Sequence, residues 1–120
     1  MAGILDFKVP QGETFVRNIE VNEDDGETSQ DMDLTGFSIE MQVREKFESN
    51  DPTLTASTDN DKITITTPAT QGKISIEFTA AETAALRPRK YVYDIEYTAP
   101  SGAVVRMLQG DFIVSAQVTR

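Results

Sequence analysis

The chain has 120 residues and a formal charge of −9, from 20 acidic against 11 basic residues, and it contains neither histidine nor cysteine. This is the length of one domain, able to close an apolar core but without disulfides or thiolate metal sites to hold it. The missing histidine and cysteine also remove the commonest general base and the commonest thiol nucleophile. The negative surface repels phosphate, so a nucleic-acid partner is disfavoured.

The first nine residues show no basic start followed by a continuous apolar run, and no later stretch approaches the roughly 20 apolar residues of a membrane span. The expectation is a soluble protein made in the cytoplasm of a cell, with no membrane partner. Leu5, Phe7 and Val9 alternate with Asp6 and Lys8 and stop at Pro10, which predicts a short first strand ending in the Pro10-Gln11-Gly12 turn. A second strand is predicted over about residues 14–21. Glu20, Glu23, Asp24, Asp25, Glu27, Asp31 and Asp33 then follow one another without a Lys or Arg between them, and the stretch is read as a solvated acidic loop.

Phe37-Ser38-Ile39-Glu40-Met41-Gln42-Val43-Arg44 is the clearest strand, with each odd residue apolar and each even one polar. A polar run from Glu45 to Pro52 leaves it as an exposed connection. Leu54 and Ala56 mark a short strand, Ile63 and Ile65 the next, and Ile74, Ile76 and Phe78 a third, with turns between them. Thr79 and Glu82 have capping-box spacing ahead of Ala84, Ala85 and Leu86, which predicts a helix of about two turns near 79–86, Leu86 plugging an open end of the sandwich. Tyr91, Tyr93, Ile95 and Tyr97 resume the alternation. Ala99-Pro100-Ser101-Gly102 makes a turn, and Gly110 separates a strand at 104–108 from a last one at 112–114.

Eight or nine short strands with regularly spaced turns and one helix define an all-β, antiparallel sandwich of immunoglobulin-like or jelly-roll-like kind, in one domain spanning 1–120. Gly36 and Gly110 are assigned to positions needing positive φ or close backbone approach.

Few residues invite chemistry. Asp94 and Glu96 share a strand face as paired acids would, but a wet face beside a tyrosine core predicts the same pattern. The acidic stretch has oxygen ligands for calcium, yet setting Gly26 as the sixth residue of an EF-hand loop puts Val21 and Met32 at its end positions, where ligands are required; a solvated loop is the reading, with an irregular calcium site drawing also on Asp31 and Asp33 as the alternative. No catalytic, metal or cofactor site is assigned, and no enzymatic activity. The tyrosine row is read as core, with base or sugar stacking as the alternative. Arg87, Arg89 and Lys90 form the one basic cluster, read as a helix terminus that can also meet the acidic stretch of an adjacent copy head to tail.

Asp33-Leu34-Thr35-Gly36-Phe37, the run Thr79-Ala80-Ala81-Glu82-Thr83-Ala84-Ala85-Leu86 followed by Tyr91-Val92-Tyr93-Asp94-Ile95-Glu96, and Arg106-Met107-Leu108-Gln109-Gly110 leading to Val118-Thr119-Arg120 occur in that order. This succession resembles a family of small β-sandwich structural proteins of tailed bacteriophages, related to the accessory proteins of L-shaped tail fibres, over roughly residues 32–120. The helix region ends in Leu86-Arg87-Pro88-Arg89-Lys90 where that family would have a simpler proline-glycine turn.

The resemblance implies a non-enzymatic protein of the virion, at the tail, fibre attachment or neck, present in multiple copies of a symmetric assembly and bound to other virion proteins. Capsid decoration on the head is the runner-up, and a carbohydrate-binding module using the tyrosines and the acidic stretch with calcium is a third reading. Residues 1–31 fall outside the matched part, so Leu5, Phe7 and Val9, with Glu23, Asp24, Asp25 and Glu27, become candidate contact residues alongside Arg87, Arg89 and Lys90.

Overall fold

A computed structural model of the protein describes residues 3–24 and 29–118. It contains β1 (Gly3–Ile4), β2 (Phe7–Pro10), β3 (Phe15–Glu20), β4 (Asn22–Asp24), β5 (Ser29–Asp31), β6 (Ser38–Arg44), β7 (Leu54–Ser57), β8 (Ile63–Ile65), β9 (Lys73–Phe78), β10 (Arg89–Thr98) and β11 (Val104–Ser115), with helix α1 (Ala80–Ala84) between β9 and β10. One sheet runs β1-β11-β10-β6-β7, with β2 also on β11; the facing sheet is β3-β9-β8; β4 and β5 form a separate hairpin.

This is an immunoglobulin-type strand order, with a C′ strand beyond C and no C″ among the described residues. In that convention β3, β9 and β8 occupy the places of B, E and D, and β7, β6, β10 and β11 those of C′, C, F and G. The order decides between the two sandwich types left open by periodicity alone.

Alternation explains the two layers. Ile39, Met41 and Val43 of β6, Tyr91, Tyr93 and Ile95 of β10, and Phe112 and Val114 of β11 turn inward, to meet Phe15 of β3, Ile63 of β8 and Ile74, Ile76 and Phe78 of β9. Each such side chain contributes about 1.5–3 kcal/mol by leaving water. No cysteine pair or tryptophan spans the layers. Aromatic rings fill the middle: Phe7 packs 4.9 Å from Tyr93 and 5.6 Å from Phe15, and Phe112 lies 5.7 Å from Phe15 and 6.2 Å from Phe78.

Tyr91 and Tyr93 are core and their phenols find partners at the rim, while Tyr97 is half-buried with its ring 5.3 Å from that of Phe37. Tyr91 donates to the Arg87 carbonyl at 2.8 Å, four residues upstream at the start of a strand in the F position, which is the tyrosine-corner contact of immunoglobulin sandwiches. Tyr93 donates to the Leu5 carbonyl.

The helix forms where the capping signature stands. Thr79 accepts from the Glu82 amide at 3.2 Å and the Glu82 carboxylate accepts from the Thr79 amide at 2.9 Å, closing both halves of the box. Leu86 is buried just beyond it, as expected of a plug. Thr83 is buried too: its hydroxyl donates to the Glu13 carbonyl at 2.8 Å and accepts from the Gly12 amide at 3.0 Å, pinning α1 to the β2–β3 turn.

Three elements differ from their sequence reading. The first strand is divided into β1 and β2, and both pair with β11 in parallel. Gly110 does not separate two strands but lies inside the 12-residue β11, where an added Cβ would strike the Leu5 carbonyl and come within 2.9 Å of Asp6 Oδ1. Close approach is thus its role, while Gly36 takes the positive-φ role at φ 77°. The acidic stretch contains the β4–β5 hairpin, antiparallel with Asn22 opposite Asp31.

Candidate functional site

The N-terminal candidates do not form one face. Phe7 and Val9 are 4% and 1% exposed and belong to the core, whereas Leu5 is 43% exposed on the other side of a break in alternation. The break has a local cause. The Leu5 amide donates to the Gln109 carbonyl at 3.0 Å, the Leu5 carbonyl accepts from Tyr93, and Asp6 Oδ1 accepts from the Asp111 amide at 2.9 Å, so residues 5 and 6 shift the chain between two registers on β11. Leu5, Phe7 and Val9 as a joint contact face are therefore corrected: the last two hold the sandwich together, and residues 7–20 supply strands to both sheets. Tyr93 is pushed above its ordinary phenol value by burial, and the neighbouring Asp6 carboxylate adds to the effect.

The charged candidates lie on connections at opposite ends of the sandwich. Glu23 and Asp24 are in β4, whose hairpin leaves the body at Val21 and Met32; Asp25 and Glu27 lie outside the described residues. The Val21 amide donates to the Gly72 carbonyl at 2.6 Å and the Leu34 amide to Ala69 at 3.0 Å, joining this end to the β8–β9 connection. Beside it, Asp33 is held below the usual carboxylate range by hydrogen bonds from the Thr35 hydroxyl and amide.

The basic cluster at the other end is partly occupied. Arg87 pairs with Glu45 at 3.0 Å and Arg89 with the same carboxylate at 3.3 Å, and Arg89 also donates to the Glu45 carbonyl at 3.2 Å. One acid 42 and 44 residues upstream thus answers two of its three cations, and this end offers an adjacent copy less free positive charge than the sequence indicates. Lys90 is exposed. Residue spacing gave no signal for Glu45, because the contact depends on how the β6–β7 connection folds against the start of β10.

A feature not anticipated from the sequence lies on the outer face of the β6–β10–β11 sheet. The β6–β7 connection overhangs it and encloses a groove of about 550 Å³ lined by Arg44, Phe47, Asn50, Asp94, Glu96 and Arg106 among others. Arg44 donates to the Ser49 carbonyl and to Gln42 Oε1, both at 2.6 Å, which braces the overhang against the sheet. Arg106 Nε stands 3.3 Å from Asp94 Oδ2. Asp94 and Glu96, read from the sequence as a wet strand face, are on that face and form the groove floor with the two arginines. No group of three or more histidine, cysteine, aspartate or glutamate side chains among the described residues could hold a metal ion.

No family model matches the chain, and no curated protein matches it. Among solved structures, a mutant of the SrpA adhesin from Streptococcus sanguinis is similar over 98% of this chain at 13% sequence identity, with a TM-score of 0.48. The chain spans 56% of that adhesin chain. No helix among the described residues is long and apolar enough to cross a membrane.

Proposed function

We propose that the protein is a non-enzymatic structural component of a tailed-bacteriophage virion, acting at the tail, fibre attachment or neck by docking to other virion proteins in multiple copies. The motif succession over residues 32–120 supports this reading, as does a scaffold rich in strand edges. The observation that carries docking is the outer edge of β11. There β1 covers Leu108 and Gln109 and β2 covers residues 112–115, while residues 104–106 have a strand partner only on the β10 side among the described residues. Ile4, 77% exposed, and the exposed Val104 and Val105 lie along that edge. An incoming strand can extend the sheet there through main-chain hydrogen bonds, with the valines setting register. Repeated copies then make modest single contacts sufficient.

Particles assembled with Ile4→Lys or Val105→Lys test this, because a charge on an open edge blocks strand addition without touching the core. Both variants should fold normally and be depleted from purified particles. Normal incorporation of both would reject docking through this edge. Mass spectrometry of separated heads and tails then assigns the site: product confined to heads replaces the tail reading with capsid decoration.

A further inference from the structure

We propose that the groove on the outer face of the β6–β10–β11 sheet binds an uncharged oligosaccharide chain. This goes beyond virion docking: the groove uses side chains on the sheet face and docking the main-chain edge of β11, and the two meet only at Arg106.

The groove is built by a β-bulge. β10 and β11 pair Ile95 with Leu108 and then Glu96 with Arg106, so Met107 is the extra residue. Without the bulge, Met107 would stand opposite Glu96. With it, the Arg106 guanidinium takes that place and reaches Asp94 at 3.3 Å. Bulges re-aim side chains in this way beside binding sites. The volume of about 550 Å³ falls within the roughly 300–1,000 Å³ of small-ligand sites.

The lining chemistry selects the ligand. On a molecule of net charge −9, the groove sets two carboxylates, Asp94 and Glu96, against two guanidinium groups, Arg44 and Arg106. An anionic ligand would meet the carboxylates and a cationic one the arginines, whereas hydroxyl groups can donate to the first and accept from the second. Asn50 adds an amide able to do both. Phe47, 72% exposed at the groove, supplies an apolar platform against which the C–H face of a sugar ring can pack.

A peptide is the less suitable occupant. β6 lies between β10 and β7, and β10 between β11 and β6, so the backbone groups under the groove are committed and strand addition is closed to a peptide there.

The test is a glycan array carrying neutral and sialylated oligosaccharides, followed by calorimetric titration of the full chain with the best neutral binder and with a matched set of polar peptides. The expected result is binding of uncharged glycans, weakened about tenfold or more in Phe47→Ala and in Arg106→Ala, with Lys73→Ala, an exposed position on the facing sheet, unchanged as the control. Circular dichroism verifies that each variant is folded; Phe47 is exposed on a connection, so its loss leaves the core intact. The proposal is overturned if no neutral glycan on the array binds, if sialylated glycans or the peptides bind more tightly than neutral glycans, or if both variants bind as well as the parent.

Discussion

At the end of the sandwich carrying α1, side chains knit separate connections together, whereas at the opposite end, among the described residues, the connections beside the β4–β5 hairpin meet through backbone hydrogen bonds. Gln11 donates to the Leu86 carbonyl at 2.9 Å and accepts from the Gln117 amide at 3.0 Å, Thr83 holds the Gly12–Glu13 backbone, and Lys62 meets Glu82 at 2.6 Å. The other end has Val21, Met32 and Leu34 amides bonded to backbone carbonyls, and a run of carboxylates beyond them. Among the described residues, then, side-chain hydrogen bonds and an ion pair tie the connections at the first end, and backbone hydrogen bonds tie those at the second. The contrast is open to perturbation.

The largest effect should come from removing residues 1–12. This takes Phe7 and Val9 from the core, strips the parallel partner from β11 and deletes Gln11 from the α1 end. The truncated chain should lose its cooperative unfolding transition by circular dichroism; a folded truncated domain would mean that the α1 end does not depend on the N-terminal strand. Leu86→Ala should cost about 2–5 kcal/mol in denaturant unfolding, from lost transfer energy and the cavity left behind. A cost within about 0.5 kcal/mol, typical of surface sites, would show that the plug is dispensable.

Glu82→Gln keeps a side chain that can close the capping box and tests the charge paired with Lys62, with an expected loss of about 0.5–1 kcal/mol at neutral pH. The Glu82 carboxyl is held below its ordinary value: burial alone would raise it, but Lys62 and the Thr79 amide and hydroxyl outweigh that effect. Its contribution is therefore fully present above the ordinary value of 4.5 and is lost as pH falls through the lower folded one. The parent and Glu82→Gln stability curves should converge below about pH 4.5; a gap that persists under acid would assign the effect to packing.

The smallest effect on stability is expected at the acidic end. Neutralising Glu23, Asp24, Asp25 and Glu27 together should leave the unfolding midpoint unchanged while slowing assembly in a salt-dependent way. A large shift in midpoint would show that this end is structural as well.

What could be read from the sequence follows the range of each interaction. The capping box spans three residues and alternation repeats every two, so α1, β6, β9 and the tyrosine core of β10 were legible directly. The parallel pairing of β2 with β11 was not, because nothing in residues 7–10 specifies a partner more than a hundred positions away. The outward turn of Leu5 and the close approach at Gly110 are two sides of that same crossing, and neither side reveals the direction of pairing. The groove was hidden for a related reason. Arg106 and Glu96 become neighbours only through a bulge, and a bulge is a property of two strands in register, which period-two reading of one strand cannot contain.

The pairing of β2 with β11 also bears on how the molecule is made. Phe7 and Val9 are synthesised about a hundred residues ahead of their strand partner, Phe112 to Ser115, with most of the sandwich between them. A growing chain can form the β8–β9 hairpin and cap α1 from local contacts, but it must carry an open apolar edge until β11 arrives. A chain that has not yet reached β11 should therefore be recognised by chaperones and proteases as unfolded, so that arrival of this strand acts as a checkpoint on closure of the sandwich.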